Sequence, residues 1–211
     1  MEIIEKIMIN FKALCLSLQL AKSIKISPST KPSQQEEPIP EEIQQNNMGK
    51  KSEKYNVLMV CVGNICRSPI AEAVMRDVIS REGVQKEWHV ESAGIEGWHS
   101  GCLPDERALK VLARHNIKYH NCARVVNIDD FFKFDYIFGM DRSNLAALKR
   151  IAPSYGTARV FLLGDFGLKP DERIIEDPYY SLGEEPFEKI YQKCVVACES
   201  FLKQARQNDI L

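Results

Sequence analysis

The sequence predicts an α/β domain: a parallel sheet covered by helices on both faces. Two observations carry that reading. Between Tyr55 and Gln207, four short apolar runs alternate with four stretches in which apolar residues recur at helical spacing. The first run, Tyr55–Val60, is apolar at consecutive positions from Val57 to Val60, as suits a strand buried on both faces. A chain of 211 residues accommodates one such domain with some length to spare, but not two of ordinary size.

In chain order, Tyr55–Val60 is the first expected strand and Ile70–Arg81 the first helix, with Pro69 at its first turn. Ala71, Val74, Val78 and Ile79 form that helix's apolar stripe. Trp88–Ser92 is the second strand, after which Gly94, Gly97 and Gly101 punctuate a loop that carries Trp98. Pro104–His115 is expected to be helical, with Leu109, Leu112 and Ala113 toward the core. Phe134–Met140 is the third strand, Asp141 the N-cap of a helix over Arg142–Arg150, and Arg159–Leu163 the fourth strand. A turn-rich stretch, Asp165–Ser181, leads to a long helix from Pro186 to Gln207 with Phe187, Ile190, Cys194, Val195, Cys198 and Leu202 on its apolar face. Strands joined through helices pair in parallel, and ligands on such sheets bind beyond the carboxyl ends of the strands. The loops after Val60, Ser92, Met140 and Leu163 therefore gather on one side, within reach of Cys61–Ser68, Trp98, Asp141 and Asp177.

Composition narrows the classes of partner. Lys plus Arg (28) nearly balance Asp plus Glu (29), so nothing drives binding to nucleic acid or to anionic membrane, and an anionic ligand has to be caught by a local site. Seven cysteines, odd in number and scattered, point to a reducing, cytoplasmic compartment rather than a disulfide scaffold. Cys61 and Cys66 lack the spacing and the nearby histidine of a zinc site, so no metal is expected. Residues 1–52 differ from the rest. Met1–Ile26 mixes apolar residues with lysines, and Ser27–Lys51 is rich in Ser, Pro, Gln and Glu, so a disordered or weakly helical extension is expected ahead of a domain at 53–211. Its apolar run Ala13–Ala21 falls short of the ~20 residues that span a bilayer, and no stable membrane insertion is expected.

The chemistry concentrates between the first strand and the first helix. Cys61 is followed six residues later by Arg67, with Gly63 between them and a helix N-terminus just beyond. A phosphomonoester is a dianion with a poor leaving group. Its hydrolysis without metal needs a nucleophile, donors for the equatorial oxygens and an acid for the departing oxygen. A thiolate supplies the first, and a guanidinium and a helix N-terminus favour it. Arg67 can grip two phosphate oxygens in a planar fork, backbone N–H groups of Val62–Cys66 can complete the cradle, and Gly63 lets the backbone curl close to an anion. Ser68 can hydrogen-bond the Cys61 sulfur.

Cys61-Val62-Gly63-Asn64-Ile65-Cys66-Arg67-Ser68-Pro69, followed by Ala71-Glu72-Ala73, resembles the active-site signature of the low-molecular-weight protein tyrosine phosphatases. The likeness continues through Ser92-Ala93, Phe134–Ile137, Met140–Leu145 and Ile174–Tyr180, and so covers about residues 55 to 207. The resemblance implies a three-layer, doubly wound fold of flavodoxin-like topology with a four-stranded parallel sheet, and a cysteinyl-phosphate intermediate formed without a cofactor. It implies that Cys61 is the nucleophile, Arg67 the phosphate clamp and Asp177 the general acid, while Val62, Gly63, Asn64, Ile65, Cys66 and Ser68 hold the phosphate. Trp98, Tyr179 and Tyr180 match the aromatic walls of the substrate cleft, and Asp141 a supporting acid near the loop. Cys66 matches a second cysteine that can form a reversible disulfide with the nucleophile under peroxide. The implied partners are tyrosine-phosphorylated proteins, met by a monomer.

The chain departs from the family at one point. Asn64 and Ser68 match a network that includes Ser92 and a histidine, and the histidine's position is held here by Asn121, which can donate and accept but not titrate. Slower turnover than in an Asn121→His variant is expected. Three alternatives share the loop. Arsenate reductases relay oxidation through two further cysteines near the third strand, where this chain has Phe138-Gly139-Met140. Protein arginine phosphatases carry threonine where Ile65 stands, and Ile65 has no hydroxyl to orient attack on a phosphoramidate. A silent phosphotyrosine-binding module would not need Cys61, Arg67 and Asp177 together.

Overall fold

A strand buried on both faces must alternate its side chains between two cores, and β1 (Tyr55–Cys61) does so. Val57, Met59 and Cys61 enter one apolar cluster, Leu58 and Val60 the other. In this computed structural model, which describes residues 54–207, β1 is followed by α1 (Arg67–Arg81), β2 (Trp88–Gly94) and α2 (Glu106–Arg114). Then come α3 (Asp130–Lys133), β3 (Tyr136–Gly139), α4 (Arg142–Ile151), β4 (Arg159–Leu162), a 3-10 turn at Leu163–Asp165 and α5 (Glu185–Arg206). The extension expected over 1–52 lies outside the described residues.

The four strands run in the order β2-β1-β3-β4, all parallel. Chain order reverses between β1 and β3, which makes the carboxyl end of β1 the switch point where ligands bind on open sheets. The fold class read from the sequence holds, down to the loop after the first strand. The larger core, under α1, α2 and α5, joins Val57 and Met59 to Phe138 and Phe201; the smaller joins Leu58, Val60 and Ile137 to Leu148 of α4 and to Phe131 and Phe134.

Several boundaries differ from expectation for visible reasons. α1 begins at Arg67 rather than Ile70, so Pro69 is its third residue, still within the first turn where its missing N–H costs nothing. α2 begins at Glu106 rather than Pro104, because the Asp105 side chain accepts from Arg107 N and caps the helix. Its buried face is Ala108, Val111 and Leu112; the expected Leu109 is half-buried and Ala113 exposed. β3 is shorter than Phe134–Met140, since Phe134 closes the short helix α3, an element absent from the sequence reading, and Asp135 turns its carboxylate to Asn56 N at 2.8 Å. On α5, Phe187, Ile190, Cys194, Cys198 and Leu202 are buried as expected, whereas Val195 is half-buried and Phe201 was missed.

Candidate active site

The loop joining β1 to α1 is fixed by its carbonyls. Cys61 O accepts from Ile95 N (2.9 Å), Val62 O from Glu96 N (2.8 Å) and Ile65 O from Asp105 N (2.8 Å). In a trans peptide the C=O and the next N–H point opposite ways, so the N–H groups of Val62, Gly63 and Cys66 turn to the loop's inner side. Asn64 adopts φ 55, and its side chain accounts for it. Nδ2 donates to Ser68 Oγ (2.9 Å) and Ser92 Oγ (2.8 Å), while Oδ1 accepts from Arg124 N (2.9 Å). Two glycines serve by being small. A Cβ at Gly94 would lie 2.9 Å from Val62 O, against the loop's own backbone, and one at Gly63 would lie 2.9 Å from the His99 ring.

Cys61, buried at the end of β1, has its sulfur 3.1 Å from Ser68 Oγ. Asn64 already donates into that hydroxyl, so the Ser68 proton is left for the sulfur or for Ala93 O at 3.3 Å. Arg67, only 1% exposed, starts α1 and spreads its guanidinium across the chain's other loops. Nη1 donates to Asp141 Oδ2 (2.5 Å) and Ile175 O (3.2 Å), and Nη2 to Asp177 Oδ2. Its Nε is buried without a hydrogen-bond partner among the described residues. Asp141 makes two contacts: Oδ1 caps α4 by accepting from Asn144 N (2.7 Å), as the sequence suggested, and Oδ2 faces Arg67.

Behind the loop lies a buried polar network. Ser92 Oγ donates to Glu72 Oε2 (2.6 Å), and Tyr119 Oη reaches the same carboxylate oxygen at 2.5 Å and Ser92 Oγ at 3.2 Å. Asn121 Nδ2 donates to Glu72 Oε1 (2.8 Å), and Arg76 pairs with that oxygen at 2.6 Å. Burial, reinforced by the Glu72 charge, pushes the Tyr119 hydroxyl well above its usual value and keeps it a donor. The position flagged at Asn121 thus keeps a bond to the network, but Tyr119 supplies the contact to Ser92. Glu72, Tyr119 and Arg124 were not singled out from the sequence. Glu72, a charged residue on the apolar side of a helix, was the one available signal.

At the rim, Val62 and Gly63 are partly open, while Asn64, Ile65, Cys66 and Ser68 are buried. Trp98 (74% exposed) and Tyr180 (93% exposed) project into solvent, whereas Tyr179 is half-buried and crosses Tyr180 edge to face at 4.9 Å. The ring seated over Gly63 is His99, 6.0 Å from the Tyr179 ring, a neighbour that sequence reasoning missed beside the more conspicuous tryptophan. Burial lowers the His99 imidazole below its usual value against the opposing pull of Asp105, which favours the neutral ring. Cys66 sits 3.9 Å from Asp105 Oδ2, and burial first, then the Asp105 charge, push its thiol well up.

Fold and loop together define a class: a doubly wound α/β protein with a Cys-(x)5-Arg loop between its first strand and first helix, two carboxylates meeting on the arginine. Residues 56–210 match the family model "Low molecular weight phosphotyrosine protein phosphatase". The chain is 68% identical over 164 residues to low molecular weight phosphotyrosine protein phosphatase 2 of Drosophila melanogaster, covering 78% of this chain and 100% of that protein. The crystal structure of Primo-1 superposes with a TM-score of 0.71 at 50% identity, covering 72% of this chain and 99% of that one. The structure of DARP, described as a Drosophila arginine phosphatase, superposes with a TM-score of 0.69 at 37% identity, covering 71% and 97%. The chain belongs to the low molecular weight phosphotyrosine protein phosphatase family.

Proposed function

We propose that this protein hydrolyses phosphotyrosine in proteins, and small aryl phosphates, through a cysteinyl-phosphate intermediate and without a metal or other cofactor. The observation that carries the reading is Arg67, a buried guanidinium at the head of the Cys61 loop whose Nη2 holds the Asp177 carboxylate. One group thereby ties an anion clamp to an acid. A phosphate dianion entering the loop competes for Nη2 and for the unpartnered Nε, and frees the Asp177 carboxyl for the tyrosyl oxygen. Released from Arg67, the Asp177 carboxylate takes up a proton; the Cys61 thiolate attacks phosphorus, the P–O bond to tyrosine breaks, and Asp177 gives that proton to the departing oxygen. Asp177 then takes a proton from water, the water oxygen attacks phosphorus, and the S–P bond breaks to release phosphate and thiolate. Ser68, 3.1 Å from the sulfur, can turn its proton from Ala93 O to the thiolate as the sulfur departs from phosphorus. His99, Tyr179 and Tyr180, with the exposed Trp98 next to His99 in the chain, are the aromatic contacts for the phosphotyrosyl ring.

Ile65 separates this reading from arginine phosphatase activity. Its side chain is buried in the main core and offers no hydroxyl to the loop. Under peroxide, Cys61 is oxidised to a sulfenic acid, and the Cys66 thiol displaces water from it to form a disulfide that reduction reopens. The odd, scattered set of seven cysteines supports a reducing, cytoplasmic setting.

The test is a parallel assay of phosphotyrosyl peptide, phosphoarginine and arsenate. Only the first is expected to turn over, and a folded sample that leaves phosphotyrosine intact overturns the assignment. Cys61→Ser is expected to abolish turnover while still binding phosphate. Asp177→Ala is expected to slow substrates with poor leaving groups about a hundredfold or more, and those with good leaving groups far less. Equal slowing of both removes Asp177 from the acid's role.

A further inference from the structure

The segment that carries Asp177 is anchored at its start by sheet-side contacts: Ile175 N donates to Met140 O (2.9 Å), and Ile175 O accepts from Arg67. Beyond Asp177 one side chain holds two of the segment's backbone carbonyls. Arg107, on the first turn of α2, donates through Nη1 to Ser181 O (2.6 Å) and through Nη2 to Tyr179 O (3.1 Å). Its other face grips Asp105 in a fork, Nε to Oδ1 at 2.9 Å and Nη2 to Oδ2 at 2.7 Å, and the guanidinium lies 4.4 Å from the centre of the Phe187 ring on α5. Asp105 in turn donates its backbone N–H to Ile65 O, within the loop that carries Cys61. The short path Ile65–Asp105–Arg107–Tyr179 therefore joins the phosphate loop to the far end of the acid's segment.

We propose that Arg107 is a positioning residue that clips the Asp177 segment to the phosphate loop, so that the acid meets the leaving oxygen. The two carbonyls it holds lie two and four residues past Asp177, and Ser181 N closes a turn onto Pro178 O (2.9 Å) between them. Lysine cannot reproduce the clip, because one ammonium cannot hold both carboxylate oxygens in a planar fork and still span two carbonyls. Arg107 touches neither Cys61 nor Arg67 through any of these contacts, so its main effect is expected on the two steps that Asp177 serves.

This rests on Asp177 being the general acid, and the experiment separates the two. kcat/KM is measured for aryl phosphates of graded leaving-group basicity with the wild-type protein, Arg107→Met, Arg107→Lys, Asp177→Asn and the Arg107→Met/Asp177→Asn double variant, each checked for folding by circular dichroism. Arg107→Met is expected to lower kcat/KM about tenfold to a hundredfold for basic leaving groups and little for activated ones. Arg107→Lys is expected to fall between, inhibition by inorganic phosphate to be nearly unchanged, and the double variant to match Asp177→Asn alone. A uniform fall across leaving groups, no fall at all, or full additivity in the double variant overturns the role of Arg107. A flat leaving-group dependence in Asp177→Asn overturns the acid assignment instead. Arg107→Lys, which keeps the charge on a partly exposed side chain, serves if Arg107→Met does not fold.

Discussion

A guanidinium removed from water needs oxygen partners, and Arg67 finds them in Asp141, Asp177 and the Ile175 carbonyl, 74 to 110 residues away in the chain. Cys61, Arg67 and Ser68 were legible because they fall within eight consecutive positions, between the first strand and the first helix. Of their supports, Ser92, Asn121 and Asp141 follow from the family resemblance, whereas Glu72 and Tyr119 do not. Glu72 is 1% exposed and is met by Ser92, Tyr119, Asn121 and Arg76, of which only Arg76, four residues on, is near it in the chain. Tyr119→Phe removes one charge-assisted donor from that carboxylate, so a loss of about 1.5–3 kcal/mol in unfolding free energy is expected, with kcat lowered and KM little changed. Denaturant titration and steady-state kinetics check it. The cost is expected to exceed any gain in turnover from Asn121→His, because Asn121 already bonds Glu72 at 2.8 Å whereas Tyr119 reaches both Glu72 and Ser92.

Helices were readable as elements more surely than as oriented faces. In α2 the nine residues Glu106–Arg114 offer apolar side chains on adjoining faces, and packing beside α5 selects Ala108, Val111 and Leu112 over Leu109 and Ala113. The capping contact of Asp105 moves the helix start by two residues from Pro104, and an N-cap is visible in sequence only when its partner is known. On α5, Phe201 escaped the stripe drawn from Phe187 to Leu202, yet it is fully buried and meets four rings, those of Trp88, Tyr136, Phe138 and Phe166, at 4.7–5.8 Å. Phe201→Ala is expected to destabilise the fold by about 3–5 kcal/mol, read by thermal or denaturant unfolding, through lost contacts and the cavity left beneath the sheet.

Across the molecule, charge ties β2 to the segment that precedes β3. Glu91 meets Lys133 (2.6 Å), Arg124 (2.9 Å) and His89 (2.9 Å). Burial would raise its carboxyl, but the hydrogen bonds from Lys133 and His89 and the charges of Lys133 and Arg124 outweigh burial and hold it at about 2, against an ordinary 4.5. A carboxyl held low in the folded state stabilises the fold above its unfolded value and loses that contribution as pH falls through the folded one. Stability is therefore expected to drop between pH about 4.5 and about 2, and Glu91→Gln to flatten the curve in that window while lowering stability at neutral pH. Thermal melts of both proteins across the window check it.

By itself the sequence determined what short-range chemistry can write: alternating strands and helices from residue 55 onward, a parallel sheet, and a contiguous loop from Cys61 to Ser68 equipped for a phosphate. Asp141 and Asp177 could be placed on the correct side because parallel strands send their carboxyl-end loops one way. Only the tertiary structure decided that both carboxylates meet Arg67, that His99 rather than Trp98 sits over Gly63, and that Tyr119 and Arg107 prop the loop and the acid segment. Each of those is a hydrogen bond or contact between residues about 30 to 110 positions apart. Such pairings depend on sheet order and helix rotation, which come from packing the whole core and leave no periodic trace at either partner.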